Sequence, residues 1–346
     1  MPAASLACNI GRMSAAIHED KDIDLGPIAG RRIAVLGFGA QGRAHALNLR
    51  DSGQDVVVGL RAGSASAEVC RQHGLEPVSL EQAAESELVV MLIPDPEQAA
   101  VYENILASRM KKHSALIFAH GYNIHYRRIV PRPDLDVLLV APMGIGEQVR
   151  LQYEAGLGVP ALVGVHQDAS GQARALAFAY AKLNGHGRAA VLETTFAEET
   201  ETDLFAEQAV LCGGIDRLVT SAFETLTEAG YSPDIAYFCC LHEVKLMADM
   251  LHRRGIAGTR RSISVAAEFG DYTRGPRVIN EASRAAMQDL LAEIRDGRFA
   301  DELDAEIVAG SPLIRRRRAA AEAHEIEKVG ARLRARMPWL QKKHNP

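Results

Sequence analysis

Two carboxylates, Asp203 and Glu207, are four residues apart in the acid-rich stretch ETTFAEETETDLFAEQAVLCGG, residues 193–214. The apolar spacing and the closing diglycine predict a helix over 205–211, and residues four apart on a helix share one face. Carboxylates this close repel each other unless a cation lies between them, and a hard ion such as Mg²⁺ takes oxygen ligands of this kind. One interpretation of the pair is therefore a metal site.

A second interpretation of this stretch needs no metal. An acidic helix start exposed to water is common, because the helix dipole favours negative charge in the first turn. Three further acids lie there: Glu198, Glu199 and Glu201. The spacing of Asp203 and Glu207 does not by itself decide between the two.

A strand, a glycine turn and a helix are predicted in succession within residues 31–53, RRIAVLGFGAQGRAHALNLRDSG. In this pattern Gly37 permits the tight turn, Gly39 lets the backbone approach a pyrophosphate, and Gly42 lets the helix pack on the strand. The phosphates would lie at the helix N-terminus. The predicted dinucleotide site comprises Gly37, Phe38, Gly39, Ala40, Gln41 and Gly42.

The end of the next predicted strand, 55–60, indicates which dinucleotide binds. NAD-binding folds place an acidic residue there on the ribose hydroxyls, whereas this chain has Arg61, followed by Ser64 and Ser66. A guanidinium with two hydroxyls suits a phosphate group. These three residues therefore favour NADPH over NADH.

One histidine follows a further predicted strand, 115–118. Ligands gather where the strands of a parallel sheet end, so His120 is positioned to face the nicotinamide or the substrate. A lone loop histidine is more often structural, and both interpretations stay open. The remaining strands of the sheet are predicted at 88–93, 137–140, 161–165 and 189–192.

Helical patterns replace strand-like runs after Thr195. Helices are predicted at 216–229, 235–253 and 283–296. We therefore expect a Rossmann-like, doubly wound α/β domain over 1–195, with an N-terminal extension over 1–16, and an all-α domain over 196–346.

Two positions in the helical half could also contribute to a site. Cys239 and Glu243 share a helix face, and burial in the core is the simplest role for Cys239 and its neighbour Cys240. Ser264 could hydrogen-bond a substrate carboxylate or cap a helix. The sequence alone does not choose between these roles.

The composition limits the class of protein, its partners and its cellular location. With 346 residues and 47% hydrophobic content the chain can form a substantial core. A net charge of -5 gives no reason to expect nucleic acid as a partner, and the run Arg315–Arg318 fits a solvated loop or helix start. Five cysteines without a CxxC pair suit a reducing cytoplasm. We expect no membrane association, since no apolar stretch is long enough to span a bilayer.

Several long motifs together resemble ketol-acid reductoisomerase of the short class, which has one helical domain. The resemblance covers residues 17–339. It implies a Rossmann-like NADPH domain, a knotted helical domain that interlocks in a homodimer or higher oligomer, and a cytoplasmic enzyme of branched-chain amino acid synthesis. The motifs are GFGAQG, GLRAGSAS, FAHGYNIHY, ETTFAEETETDLFAEQAVLCGG, CLHE, SIS before AEFGDY, GPRVI and MPW.

The family uses two Mg²⁺ ions for an alkyl shift in a 2-aceto-2-hydroxy acid and then reduces the resulting 2-keto acid with NADPH. By resemblance, Asp203 bridges the metals, Glu207 ligates one, and Glu243 reaches the site across the dimer. Ser264 would hold substrate and metal-bound water, and His120 would lie near the reacting centre. The cofactor residues implied are Gly37, Gly39, Gly42, Arg61, Ser64 and Ser66.

The chain departs from the family around the substrate. Met143 replaces the lysine of the family's AP-Lys-GPG loop, and Cys239 replaces the first glutamate of its Glu-Cys-Leu-His-Glu motif. In addition, Glu147-Gln148 replace a His-Thr pair and Val265-Ala266 replace Asn-Thr. The cofactor motifs are intact.

These departures lead to the hypothesis of an NADPH-dependent reductase for a small keto or imino substrate, in which alkyl migration is lost. The first alternative is an authentic ketol-acid reductoisomerase that converts 2-acetolactate. The second is a non-catalytic NADPH-binding protein.

Overall fold

The structure, a computed structural model, describes residues 15–341. Residues 1–14 of the predicted extension, with Cys8, lie outside the described residues. The chain divides into two compact units at the bond between Thr200 and Glu201. We call them the sheet unit and the helical unit.

The sheet unit contains, within the described residues, a nine-stranded sheet in the order β1-β9-β8-β7-β6-β5-β2-β3-β4. The strands are β1 (Ile17–His18), β2 (Ile33–Leu36), β3 (Val56–Leu60), β4 (Glu76–Ser79), β5 (Leu88–Met91), β6 (Ala115–Phe118), β7 (Asp136–Pro142), β8 (Ala161–Gln167) and β9 (Val191–Glu193). From β4 through β7 in this order all neighbours are parallel. The chain steps outward from β2 to β4 and then returns to β5 on the other side of β2, so the topological switch point lies between β2 and β5.

One edge of the sheet is not parallel. Strand β8 runs antiparallel to β7, and β1 runs antiparallel to β9. The amide of Met143, just after β7, donates to the carbonyl oxygen of Pro160, just before β8, at 2.8 Å. The chain therefore leaves β7 and enters β8 at the same end of the two strands, so β8 runs back along β7.

Helices cover both faces of this sheet. Alternate residues of the buried strands supply two separate cores: Ile33 and Val35 of β2 belong to one, and Ala34 and Leu36 to the other. Continuous apolar strands are typical of a sheet buried on both faces. The helices are α1 (Ala40–Asp51), α2 (Ser66–Gln72), α3 (Leu80–Ala83), α4 (Asp95–Val101), α5 (Ala107–Arg109), α6 (Tyr122–His125), α7 (Gly146–Glu154), α8 (Ala173–Leu183) and α9 (Phe196–Ala206), the last of which crosses into the helical unit.

Two buried histidines lie behind α1. The Nδ1 atom of His45 is 2.7 Å from the hydroxyl of Tyr180, and Nδ1 of His186 is 2.7 Å from the carbonyl oxygen of Val159. Both histidines are fully buried, and the Nε2 atom of each has no hydrogen-bond partner among the described residues. Burial lowers the pKa of His45 to about 3 and that of His186 to about 4, with the neighbouring His186 adding to the effect on His45.

Acid is therefore expected to destabilise the sheet unit. The unfolded histidines take up protons near the ordinary pKa of 6.5, but the folded ones do not until about 4 or below. As the pH falls from 6.5 to the pKa of the folded histidine, each histidine lowers the free energy of unfolding by about 1.4 kcal/mol per pH unit. Above pH 6.5 this loss of stability is absent. Replacing His186 with Gln should remove about half of this slope in thermal unfolding measured at different pH values.

A matched control is His113→Asn. This position is exposed and has φ 59°, a conformation that asparagine adopts readily. The control should leave the pH slope unchanged. An equal slope in wild type and His186→Gln would contradict the assignment.

The helical unit has a small core of its own, which includes Val219, Phe223, Tyr237 and Val329. No helix in the described chain is both long and apolar enough to cross a lipid bilayer. Besides the end of α9, the helices are α10 (Gly213–Glu228), α11 (Pro233–Tyr237), α12 (Glu243–Arg260), α13 (Val265–Val278), α14 (Glu281–Arg295), α15 (Arg298–Val308), α16 (Pro312–Ala323), α17 (Glu325–Arg334) and α18 (Pro338–Gln341).

Two single-turn π-helical segments interrupt this unit. They span Glu207–Leu211 and Phe238–His242, where a regular α-helix was predicted. The run Arg315–Arg318 is exposed and lies within α16, so of the two predicted settings, a solvated loop or a helix start, a solvated helix is present.

Candidate active site

The predicted glycine turn lies at the switch point. Gly37 follows β2 with φ +91°, which glycine adopts without strain, and a Cβ atom there would lie 2.8 Å from the carbonyl oxygen of Leu92. Gly42 is equally confined, because its Cβ would lie 2.4 Å from the carbonyl oxygen of Gly37. These glycines let α1 begin tightly against β2 and β5.

Gly39 faces open space, since a Cβ built there meets no atom within 4 Å. It is the N-cap of α1, and no side chain in the described chain caps it. The amides of the first turn, from Ala40 to Gly42, are thereby left for a ligand. Phe38 lies in the core, so its side chain supports the turn from below. This cradle fits the pyrophosphate of a dinucleotide.

A second loop packs directly on the glycine turn. The Nε2 group of Gln41 donates to the carbonyl oxygen of Gly144 at 2.9 Å. A Cβ at Gly146 would lie 2.3 Å from the carbonyl carbon of Ala40, so the backbones touch. The loop after β7 is thus held beside the place where a cofactor would lie.

The exposed side chains of this second loop are apolar. Met143 is 55% exposed and Ile145 is 66% exposed. Glu147 and Gln148 follow in the first turn of α7 and are also exposed. In the described structure, then, the loop brings no cation to the edge of the glycine turn.

The loop after β3 carries the predicted phosphate-binding residues. The side chain of Arg61 is 76% exposed, and its NH1 atom lies 3.9 Å from Oε2 of Glu97. The hydroxyl of Ser64 accepts from the amide of Ser66 at 3.3 Å, and Ser66 is the first residue of α2. The loop thus keeps a guanidinium and two hydroxyls within one short turn.

His120 is fixed by a buried carboxylate. Its Nδ1 atom lies 2.9 Å from Oε1 of Glu199, and the amide of Gly121 donates to Oε2 of Glu199 at 2.8 Å. Glu199 is only 3% exposed. An ionised carboxylate only accepts hydrogen bonds, so Nδ1 donates and Nε2 becomes the nitrogen that would exchange a proton.

Close packing holds this contact in place. A Cβ at Gly121 would lie 2.5 Å from Oγ1 of Thr200 and 2.8 Å from the carbonyl oxygen of Phe196. Only glycine lets the turn after β6 approach α9 this closely. Sequence reasoning missed Glu199, which it treated as one of three solvated acids. The signal that could have found it is its position four residues before Asp203, on the same helix face.

The predicted metal ligands lie in the helical unit. Asp203 is half-buried in α9, and Glu207, one turn later, is exposed at the start of the first π-helical segment. Glu243 is exposed at the start of α12, one turn after Cys239 in the second π-helical segment. Carboxylates are the donor type that Mg²⁺ prefers, whereas a thiol is not.

Ser264 has a defined structural role. It is the N-cap of α13, and its hydroxyl oxygen accepts from the amide of Ala267 at 3.2 Å. Of its two predicted roles, helix capping is therefore present. The hydroxyl hydrogen is not used by this contact.

Two family models match the chain along most of its length. Residues 27–190 match the NADPH-binding domain of acetohydroxy acid isomeroreductase. Residues 196–339 match the C-terminal domain of ketol-acid reductoisomerase. The expected order of an NADPH-binding α/β domain and a helical domain is confirmed.

Solved structures give the same result. An NADH-preferring ketol-acid reductoisomerase from an uncultured archaeon is 41% identical, with a TM-score of 0.90 over 92% of this chain and 98% of that one. A semialdehyde dehydrogenase NAD-binding protein from Cupriavidus necator, at 17% identity, has a TM-score of 0.60 over 77% of this chain and 99% of that one, a likeness of fold alone. The protein is an oxidoreductase that uses a nicotinamide cofactor, and the chain belongs to the ketol-acid reductoisomerase family.

Proposed function

We propose that this protein is an NADPH-dependent reductase of a C=O or C=N bond that no longer carries out the alkyl migration of its family. The observation that carries the proposal is the loop after β7. This loop packs on the glycine turn through Gln41 and Gly146. It exposes Met143 and Ile145 at the positions where the family has a lysine and a proline.

Alkyl migration moves charge between adjacent oxygens. Preorganised charged or polar donors at such positions are commonly worth about 10²–10³ in rate each. With Met143 for lysine and Cys239 for glutamate, a cation and a carboxylate are both lost. Reduction needs less, because a bound nicotinamide supplies the hydride and one acid supplies the proton.

His120 is the residue we assign to that proton. Because Glu199 accepts from Nδ1, the ring is oriented, and Nε2 of the protonated ring would give its proton to the oxygen or nitrogen that becomes negative as the carbon accepts hydride, leaving the neutral ring with its hydrogen on Nδ1. Glu199 is the positioning residue. The exposed apolar loop beside the cofactor turn supports a substrate that is less acidic than a 2-aceto-2-hydroxy acid.

Mg²⁺ remains part of the proposal. Asp203, Glu207 and Glu243 would hold it, with Ser264 binding substrate or metal-bound water. When bound, the ion would polarise a substrate oxygen as a Lewis acid. The thiol of Cys239 supports weaker binding of a second ion, because it removes a hard anionic ligand.

A substrate panel tests the function. We expect NADPH to be oxidised with an already isomerised 2-keto acid, hydroxypyruvate or a cyclic imine, and no more than trace oxidation with 2-acetolactate and Mg²⁺. Each reaction should be followed with and without Mg²⁺ by absorbance of the reduced nicotinamide. Turnover of 2-acetolactate at ordinary enzyme rates would refute the loss of isomerisation, and NADPH binding without oxidation by any compound would indicate a non-catalytic protein.

The authentic family reaction is the second candidate. It is favoured by the match of both domains and by 41% identity to a ketol-acid reductoisomerase. It would require another cation in place of the missing lysine. The same panel distinguishes the two candidates, since only the authentic enzyme turns over 2-acetolactate.

A second copy of the chain is the partner that best suits the helical unit. Helices α13 and α16 have no buried residue, and large apolar side chains are exposed along the unit, among them Val265 at 83% and Phe269 at 62%. Exposed apolar surface of this extent usually marks an interface. A homodimer or higher oligomer in solution would support this, as measured by light scattering.

The cysteines suit a reducing setting. Those that the structure describes are free thiols: Cys70, Cys212, Cys239 and Cys240. We therefore propose a cytoplasmic location, where thiols stay reduced.

A further inference from the structure

Two opposite charges lie close together in the sheet unit, beside the predicted phosphate-binding loop. Arg61, after β3, is the cation assigned above to the 2′-phosphate of NADPH. The carboxylate of Glu97 lies 3.9 Å from its guanidinium. This acid comes from the first turn of α4, after β5, and not from the end of β3 where NAD-binding folds usually supply it.

The backbone of Glu97 cannot move away easily. Its neighbour Gln98 is 4% exposed, and the Nε2 group of Gln98 donates to the carbonyl oxygen of Ile93 at 3.0 Å and to Oδ1 of Asp95 at 2.9 Å. The amide group of Asn123 donates to Oε1 of Gln98 at 2.9 Å. The turn that carries Glu97 is therefore fixed to the sheet, and only the side chain can rotate.

We propose that Glu97 is a specificity-determining residue that opposes NADPH and favours NADH. A 2′-phosphate beside Arg61 would bring about two negative charges close to the carboxylate and would have to displace it from the guanidinium. A 2′-hydroxyl, by contrast, could donate a hydrogen bond to the same carboxylate. The inference rests on the proposed role of Arg61.

The test compares the dissociation constants of NADPH and NADH in the full-length protein, measured by nicotinamide fluorescence. Replacing Glu97 with Gln should lower the dissociation constant of NADPH about three- to tenfold and leave the dissociation constant of NADH unchanged or raised. The gain for NADPH should shrink at high salt, because the repulsion lies at the surface and is screened. Glu103→Gln, which removes an exposed acid further along the same helical stretch, should leave the ratio as in wild type.

Two outcomes separate this inference from the role of Arg61. One outcome is that Arg61→Gln selectively weakens the binding of NADPH, while Glu97→Gln leaves the affinities for both cofactors unchanged or changes them equally. In that case Arg61 binds the phosphate and the role of Glu97 is overturned. If Arg61→Gln weakens both cofactors equally, the assignment of Arg61 itself fails. A selective gain in Glu97→Gln that is mostly lost in the Arg61→Gln background supports competition for the guanidinium.

Discussion

The Met143→Lys, Cys239→Glu double variant is expected to convert 2-acetolactate about 10²- to 10⁴-fold faster than the wild-type protein. Position 143 lies in the loop that Gln41 and Gly146 hold against the glycine turn, so a lysine there would bring its ammonium close to the bound cofactor. The added glutamate would restore a hard oxygen ligand one turn before Glu243. The measurement is NADPH oxidation with 2-acetolactate and saturating Mg²⁺.

The control for this experiment keeps the size of the new side chains without their charge. The Met143→Gln, Cys239→Gln variant should gain little, because alkyl migration needs charge and not merely polarity. Reduction of an isomerised 2-keto acid, followed in parallel, should change far less than isomerisation. Failure of the charged variant to gain activity would mean that the pocket differs throughout and not at two positions.

Loss of the Glu199 carboxylate should be the most damaging single change to reduction. In Glu199→Gln one acceptor oxygen must serve both Nδ1 of His120 and the amide of Gly121, which Glu199 satisfies with two oxygens. If the amide oxygen stays with Gly121, the NH₂ group faces Nδ1 and no longer stabilises a hydrogen on that nitrogen or the protonated ring. We expect kcat for reduction to fall about 10²- to 10⁴-fold while the dissociation constant of NADPH stays unchanged.

Glu198→Gln is the matched control. It removes the same charge from the preceding residue, whose carboxylate accepts from the hydroxyl of Thr194 at 2.9 Å and is exposed. This variant should keep near wild-type kcat. Equal losses in both variants would point to a general effect of charge in α9, and a weakened NADPH affinity in Glu199→Gln would point to a disturbed fold.

The sequence predicted the parts of the fold that depend on local pattern. The glycine spacing around Gly37 identified the turn because the positive φ of Gly37 and the contact of Gly42 with the carbonyl oxygen of Gly37 are local in the chain. Strand 115–118 was predicted correctly because a short, wholly apolar run between turns suits a buried parallel strand. The exposure of Arg315–Arg318 followed from its charge, whereas the choice between loop and helix did not.

Other features depend on contacts distant in the chain. The run of acids does not show that Glu199 is buried while Glu198 is exposed, because the burial of Glu199 comes from contacts with His120 and Gly121, which lie far away in the chain. The antiparallel course of β8 lies in its pairing with β7, which no periodicity within either strand encodes.

The π-helical segments constrain how this chain could have changed over time. A π turn holds one more residue than an α turn, so each segment is equivalent to a helix with a single inserted residue. Both contain a residue discussed above, Glu207 in one and Cys239 in the other. Because the wide turn absorbs the insertion, deleting that extra residue would restore a regular helix and leave the downstream side chains on nearly the same faces. Such a deletion would redirect mainly the side chains within the turn itself, which include Glu207 and Cys239, whereas an exchange of side chains, as at Cys239, keeps the wide turn.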